Sequence, residues 1–110
     1  MKIAKIVIKT RPNSWGKIVL RSVPAYLSPD FPGLAVHRGI DWLHDIWNVV
    51  HIRSQWRVNQ LAFNKRKQAV VYAQEIAKLA DWSQSGDDIV AQGVARRIMA
   101  SKALEKAMRA

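Results

Sequence analysis

The sequence contains no cysteine, and acidic residues are scarce. Without cysteine there is no disulfide, no thiolate zinc site and no cysteine nucleophile, which fits a protein of a reducing cytoplasm. No apolar run approaches the ~20 residues that a membrane span needs. The start, MKIAKIVIKT, has neither the long apolar stretch nor the small-residue cleavage site of a signal peptide. These absences predict a cytoplasmic protein with no membrane partner.

The scarcity of acids leaves a large positive charge. The 110 residues include 18 Lys and Arg against 8 Asp and Glu, a net charge of +10, and 49% of residues are apolar. That apolar share is enough for a packed core, and the length suits a single domain over residues 1–110. The charge is graded, with seven bases and one acid in residues 1–40 but five bases and four acids in residues 81–110. Such a surface attracts polyanions, although net charge also keeps small domains from associating.

The first third of the chain predicts a β-hairpin and a proline-rich connection. Residues 2–9 and 17–23 are rich in Ile and Val, and the turn formers Pro, Asn, Ser and Gly lie between them. Residues 24–33 contain three Pro and one Gly, which argues against a regular helix or a central strand there. We therefore expect residues 1–33 to form the hairpin and a packed connection.

A three-stranded antiparallel meander is predicted over residues 34–40, 46–53 and 56–61. The second segment is rich in β-branched and aromatic residues, which favours strand, although apolar residues between 40 and 50 also fit helical spacing. A loop at 53–55 would pair Ile52 with Trp56 and Val50 with Val58, and would sort apolar side chains onto one face. The opposite face would then carry Trp47, Val49, His51, Arg57, Asn59 and Leu61.

From Asn64 onward the pattern becomes helical. Asn64 is the predicted N-cap of a first helix, and residues 34–80 then form a sheet-plus-helix unit. Ser85 and Asp88 resemble a capping box that starts a second helix over residues 87–109. Its alanine-rich end is expected to project or to pair with another subunit. The predicted apolar faces are Ala69, Tyr72, Ala73, Ile76, Ala77 and Ala80 in the first helix and Val90, Val94 and Ile98 in the second.

The predicted fold class is therefore α+β. An N-terminal hairpin and the meander pack against one helix, and a second, C-terminal helix follows. Core or sheet-face positions are expected for Trp47 and Trp56, and Trp82 is expected to close the end of the first helix. Trp15 and Trp42 lie in predicted turns.

The sequence carries none of the common catalytic motifs. There is no Gly-rich phosphate loop, no His-Glu-x-x-His and no Gly-x-Ser-x-Gly. His37, His44 and His51 recur every seven residues, but on two strands and a turn, without a clear carboxylate, they are a weak ligand set. We therefore predict no enzymatic activity, no metal and no cofactor.

The segment from Leu34 to Ala80 resembles three-stranded-sheet-plus-helix DNA-binding domains of the ethylene-response-factor and integrase arm-type classes. It is also similar to small uncharacterised prokaryotic domains of that pattern. The residues that carry the resemblance are Trp47-x-Val49-x-x-Ile52-Arg53, Arg57-Val58, Leu61-x-Phe63 and Ala69-x-x-Tyr72-Ala73-x-x-Ile76-Ala77. In those families the outer sheet face lies in the major groove. The resemblance implies that Arg38, Trp47, His51, Arg53 and Arg57 contact DNA.

Two functions are weighed on this basis. The first is a DNA-binding accessory or regulatory protein, such as one of a mobile element or phage, with DNA favoured over RNA. The second is a protein-interaction module that forms homo-oligomers through the sheet and residues 87–109. Polar residues at 51, 53, 57 and 59 favour nucleic acid, because a partner-binding face would be more apolar. The predicted contact residues are Lys5, Lys9, Arg11, Lys17, Arg38, Trp47, His51, Arg53, Arg57, Asn59, Lys65, Arg66 and Lys67.

Overall fold

A computed structural model describes residues 1–11, 16–40 and 45–110, so Trp15, Trp42 and His44 lie outside the described residues. The described chain is α+β, with one antiparallel sheet whose four strands are ordered as in the sequence. The strands are β1 (Lys2–Thr10), β2 (Val19–Leu27), β3 (Leu34–Arg38) and β4 (Trp47–His51). The helices are α1 (Arg66–Ile76), which continues into a 3₁₀ turn at Ala77–Leu79, α2 (Gly86–Ala91), α3 (Val94–Ala100) and α4 (Ala103–Met108).

The predicted hairpin is confirmed, but its second strand is longer than expected. β2 continues through Pro24 to Leu27, so the assignment of residues 24–27 to an irregular connection is wrong. Pro24 is tolerated because of its register opposite Lys5. The backbone amide of Lys9, four residues further along β1, points away from β2. Because hydrogen-bonded and non-hydrogen-bonded pairs alternate along an antiparallel ladder, Lys5 and Pro24 also form a pair that exchanges no backbone hydrogen bond. The ladder therefore needs no amide from Pro24.

The third strand of the predicted meander is wrong. After β4 the chain pairs only through isolated bridges, Arg57 with Val50 and Phe63 with Trp47. Gln55 adopts a left-handed conformation (φ 68°), which lengthens the loop to residues 52–55 and shifts the register by one from the predicted Val50–Val58 pair. The Oδ1 of Asn59 accepts from the Val49 amide at 2.8 Å. The Asn59 side chain thus replaces the backbone carbonyl that would otherwise accept from Val49, and the strand pairing is interrupted there.

Both faces of the sheet are covered. One face packs under α1, where Leu34, Val36 and Val49 meet Phe63 and Ile76 in the main core. The other face curls around a smaller apolar cluster of Ile8, Val23, Ala25, Ala35 and Val50. The curl brings the two edge strands together, because the Lys9 amide in β1 donates to the carbonyl of Gln55, four residues after β4, at 2.9 Å.

The first helix matches its predicted apolar face, but not its predicted start. Lys65, rather than Asn64, is the N-cap residue, and its side chain makes no capping hydrogen bond. Trp82 closes the other end as predicted, because its Nε1 donates to the Ile76 carbonyl at 2.9 Å. The buried residues of α1 are Gln68, Ala69, Tyr72, Ala73 and Ile76.

The predicted continuous helix over residues 87–109 is wrong, since it is broken into α2, α3 and α4. The Ser85–Asp88 capping box is confirmed, with the Asp88 amide donating to Ser85 Oγ at 3.2 Å. Gly93 at φ 68° ends α2, and Ser101 in an extended conformation ends α3. Val90, on the predicted stripe, is exposed, and Ile89 is buried instead.

The alanine-rich end folds back on the same chain instead of projecting. Ala103 and Ala107 of α4 are buried in the main core, where their small side chains allow close packing on α1. Lys106 Nζ lies 2.6 Å from Glu75 Oε1 on α1. Within the described residues, no helix is long and apolar enough to cross a membrane.

Candidate nucleic-acid interface

Two of the predicted contact residues, His51 and Asn59, lie inside the molecule instead of on its surface. Both are 3% exposed. The odd-numbered side chains of β4, His51 among them, face α1, and Asn59 turns inward to the Val49 amide. His51 Nε2 donates to the Trp82 carbonyl at 2.8 Å, and its Nδ1 accepts from Ser54 Oγ at 2.8 Å. Asn59 Nδ2 donates to Asn48 Oδ1 and to the Leu61 carbonyl, both at 3.0 Å. These two side chains hold the fold together and offer nothing to a ligand.

Several basic residues that were predicted to contact nucleic acid are exposed, but they are spread over different parts of the surface. Arg53, in the turn after β4, donates to the Ser83 carbonyl at 3.0 Å and so braces the loop before α2. Lys5 and Lys17 are exposed on the hairpin, and Lys65 and Lys67 are exposed at the start of α1. None of these five lines the cavity described next.

A concave cavity of about 530 Å³ lies on the curled face of the sheet, and we call it the basic groove. The end of β1 contributes Lys9 and Arg11, β2 contributes Arg21, and the segment after β4 contributes Arg57. No carboxylate is among the described residues that line it. Lys9, Arg11 and Arg57 were expected to bind nucleic acid, and the structure brings them together. Arg21 was missed, although its register opposite Ile8 in the hairpin places it on this inner face.

Two buried, uncharged polar side chains line the basic groove beside the apolar Ile8, Ile46 and Val50. His37 and Asn48 are neighbours across β3 and β4, and both are buried. Burial lowers the pKa of His37 below its ordinary value of 6.5; the bond to the Arg38 carbonyl opposes this shift, and the nearby Arg57 charge adds to it. His37 Nδ1 donates to that carbonyl at 2.8 Å, which fixes the orientation of the ring, while burial favours its neutral form. The positive charge of the groove therefore comes from its rim.

An indole forms part of that rim. Trp56 is 39% exposed, and the Lys9 ammonium lies 5.7 Å from its ring centroid. A partly exposed aromatic ring beside basic side chains is suited to stacking on nucleobases or sugars.

A second basic and aromatic surface lies on the α1 side of the sheet, and we call it the stacked strip. The Arg38 guanidinium lies 5.8 Å from the Trp47 ring centroid, and the rings of Trp47 and Tyr26 are 6.1 Å apart. The Arg66 guanidinium lies 4.8 Å from the Tyr26 ring and donates to its hydroxyl at 2.8 Å. Arg38, Trp47 and Arg66 were predicted contact residues, and the structure groups them. Tyr26 was missed because it was assigned to the proline-rich connection instead of β2.

Comparison with protein-family models, with curated proteins and with solved structures gave no match. Among residues 1–11, 16–40 and 45–110, no group of three or more His, Cys, Asp or Glu residues could hold a metal ion. The case for a function therefore depends on the geometry of the two surfaces.

The lowered pKa of His37 predicts how stability depends on pH. Below about pH 6.5 the unfolded chain takes up a proton at this position more readily than the folded chain does. The free energy of unfolding should therefore fall as the pH drops below about 6.5, by at most ~1.4 kcal/mol per pH unit from this one group. Urea unfolding of the wild type and of His37→Gln between pH 7.5 and 5 measures it. Equal slopes with pH in the two proteins would contradict the assignment.

Proposed function

We propose that this protein binds nucleic acid, with DNA as the favoured ligand, and that the basic groove holds the phosphates. One observation carries the proposal: four bases from three separate parts of the chain converge on one concave surface that no described carboxylate lines. Four basic side chains that converge on one concavity raise the local positive potential, and a polyanion that binds there releases its own counterions.

The distribution of the acids supports the same proposal. Five of the eight acidic residues follow position 74, in or near the helices, and three of them, Glu75, Asp87 and Asp88, lie in α1 and α2. The helices pack on the sheet face opposite the groove. The acids that follow position 74 therefore lie away from the groove, although residues 64–110 still carry nine bases against five acids.

The biological setting is part of the proposal. A cytoplasmic accessory or regulatory protein of a prokaryotic mobile element or phage fits the absence of cysteine, the small size and the resemblance of residues 34–80. The resemblance is also the reason for favouring DNA over RNA.

Removing one basic side chain from the groove should weaken the binding of nucleic acid in a salt-dependent way. We expect Arg57→Gln to lower the affinity for a labelled oligonucleotide about 5- to 10-fold at ~50 mM salt and to reduce the slope of log affinity against log salt by about one. Fluorescence anisotropy over a salt series measures both quantities.

Arg96→Gln is the matched control, because it removes the same charge from an exposed position on α3, in the helical layer. It should change the affinity less than twofold. Equal losses in the two variants would show that net charge, rather than the basic groove, governs binding. No binding by the wild type at ~50 mM salt would refute the function itself, since phosphate contacts are strongest there.

A second candidate function is self-association through residues 87–109, and one observation favours it. An apolar groove of about 720 Å³ runs between residues 58–63 and the helices α3 and α4. Met99 is 83% exposed beside it, and Leu61 is 75% exposed. A second copy of the chain is the proposed occupant. Sedimentation over a range of concentrations tests it, and a monomer throughout would exclude it.

A further inference from the structure

We infer that the ligand is an unpaired nucleic-acid strand, whose phosphates lie in the basic groove and whose bases stack on the strip formed by Arg38, Trp47, Tyr26 and Arg66. This inference depends on the proposed function, and it replaces the duplex that the resemblance of residues 34–80 implies with an unpaired strand. It rests on three features: the shape of the groove, the construction of the strip, and the strand ends that the two surfaces share.

The shape of the basic groove favours a single strand. Its basic side chains surround a concavity of about 530 Å³. Cavities of 300–1,000 Å³ typically enclose small ligands. A double helix carries its phosphates on a convex outer surface and keeps its bases stacked inside. It can touch the rim of such a cavity but cannot enter it. An unpaired strand can bend its backbone into the groove and leave its bases free to turn outward.

The stacked strip has the construction of a base-stacking platform. Its aromatic rings are half-buried and pack against the main core, which holds them in place. Both guanidinium groups lie over ring faces, and Arg66 is fixed further by its bond to the Tyr26 hydroxyl at 2.8 Å. Unpaired bases stack on aromatic rings and on arginine planes with little regard to sequence. Because these planes are already oriented, a base loses less entropy in binding to them.

The two surfaces meet at the ends of β3 and β4. His37 and Gly39 line the groove, and Arg38 between them begins the strip on the other face of the strand. Ile46, just before β4, lines the groove, and Trp47, the first residue of β4, belongs to the strip. Alternation of side chains along a strand produces this arrangement. The basic groove and the stacked strip therefore lie on opposite faces of the same two strands, so that one nucleic-acid strand bound to both places its phosphates on one face and its bases on the other.

The test compares four labelled probes of one sequence in the anisotropy assay: single-stranded DNA, single-stranded RNA, duplex DNA, and a DNA strand whose central nucleotides are abasic. The wild type should bind the single strands at least tenfold more tightly than the duplex. The abasic strand keeps every phosphate but has no bases to stack at its centre, so it should bind about tenfold more weakly than the intact strand.

Arg66→Gln and Arg38→Gln/Arg66→Gln remove the guanidinium planes from exposed positions. Lys67→Gln is the matched control, because it removes a neighbouring charge that contacts no ring in the strip. The double variant should lose about tenfold in affinity for the intact strand and threefold or less for the abasic strand. Lys67→Gln should weaken both strands equally and slightly.

The possible results distinguish this inference from the proposed nucleic-acid binding on which it depends. Equal affinity for duplex and single strand, together with an Arg57→Gln effect, would overturn the unpaired ligand and leave the nucleic-acid function standing. Equal losses on the intact and abasic strands would overturn the stacking role of the strip. Tight binding of RNA alone would support the unpaired ligand and reject DNA. Absence of binding to all four probes would overturn both proposals.

Discussion

Substitution of Gly33 by alanine is expected to cause a large loss of stability. Gly33 adopts φ +83°, a left-handed conformation that side chains disfavour. An added Cβ would lie 2.5 Å from the carbonyl oxygen of Trp82 and 2.6 Å from its carbonyl carbon. Both are backbone atoms, so no side-chain rotation relieves the clash.

The Trp82 carbonyl has no freedom to retreat. It accepts a hydrogen bond from His51 Nε2 at 2.8 Å, and the indole of the same residue is tied to Ile76 by a bond of 2.9 Å. The Gly33 carbonyl is also fixed, because the Ile52 amide donates to it at 3.0 Å. The clash must therefore separate the start of β3 from the segment after α1, or break the bonds of a buried histidine.

We expect Gly33→Ala to lower the free energy of unfolding by about 3–5 kcal/mol, from backbone strain and overpacking together. That is a large share of the stability of a small domain. Gly93→Ala is the control, because Gly93 also has a positive φ of 68° but its added Cβ would meet no atom within 4 Å. It should cost about 1 kcal/mol. Urea denaturation of both variants measures the difference, and equal losses would show that conformation alone decides.

The second large effect is expected at Asn59, a residue that the sequence pattern assigned to DNA contact. Its amide accepts from the Val49 backbone and donates to Asn48 Oδ1 and to the Leu61 carbonyl, with all three bonds between 2.8 and 3.0 Å. Alanine at this position would leave a buried amide and a buried side-chain oxygen without their partner. An unsatisfied buried polar group costs about 1–3 kcal/mol.

Asn59→Ala should therefore lose about 2–4 kcal/mol of stability, whereas Gln60→Ala, at the exposed neighbouring position, should lose less than about 0.5 kcal/mol. The same variants also distinguish a structural from a binding role. Under conditions where Asn59→Ala is fully folded, its affinity for single-stranded DNA should equal that of the wild type. A tenfold loss of affinity in the folded variant would restore Asn59 to the interface.

The elements that depend on local pattern could be predicted from the sequence. Alternating Ile and Val predict the hairpin, and the spacing of Ala69, Tyr72 and Ile76 predicts the buried face of α1. The Ser85–Asp88 pair predicts the start of α2. Each of these signals acts within a few residues, where propensity and capping dominate.

The errors have non-local causes. Proline normally interrupts a strand, and Pro24 is accommodated only because of its register against a partner nearly twenty residues away. The predicted third strand failed because the Asn59 side chain replaces a backbone partner of Val49 and interrupts the ladder. The exposed face of β4 was misassigned because the side on which α1 packs is set by the whole sheet. An alternating pattern does not contain that information.

The candidate site shows the same division. The charge of the N-terminal segment predicted that Lys9 and Arg11 bind nucleic acid, and the resemblance implied Arg57, but their sequence separation gave no indication that they share a cavity. They converge because the sheet curls, and the curl is held in part by the hydrogen bond between the Lys9 amide and the Gln55 carbonyl. Arg21 and Tyr26 were missed because their roles depend on how far β2 extends and on which face each residue occupies.

The order of the strands also has a consequence for the kinetics of folding. Every strand pairs with the strand that precedes or follows it in the sequence, so each pairing closes only a short loop. Short loops have small closure entropies, and a high share of local contacts favours rapid folding. Contacts of much longer range join Gly33 to Trp82 and the edge strand at Lys9 to Gln55. The chain can therefore assemble the sheet strand by strand, and the closure that creates the basic groove can follow once its walls exist.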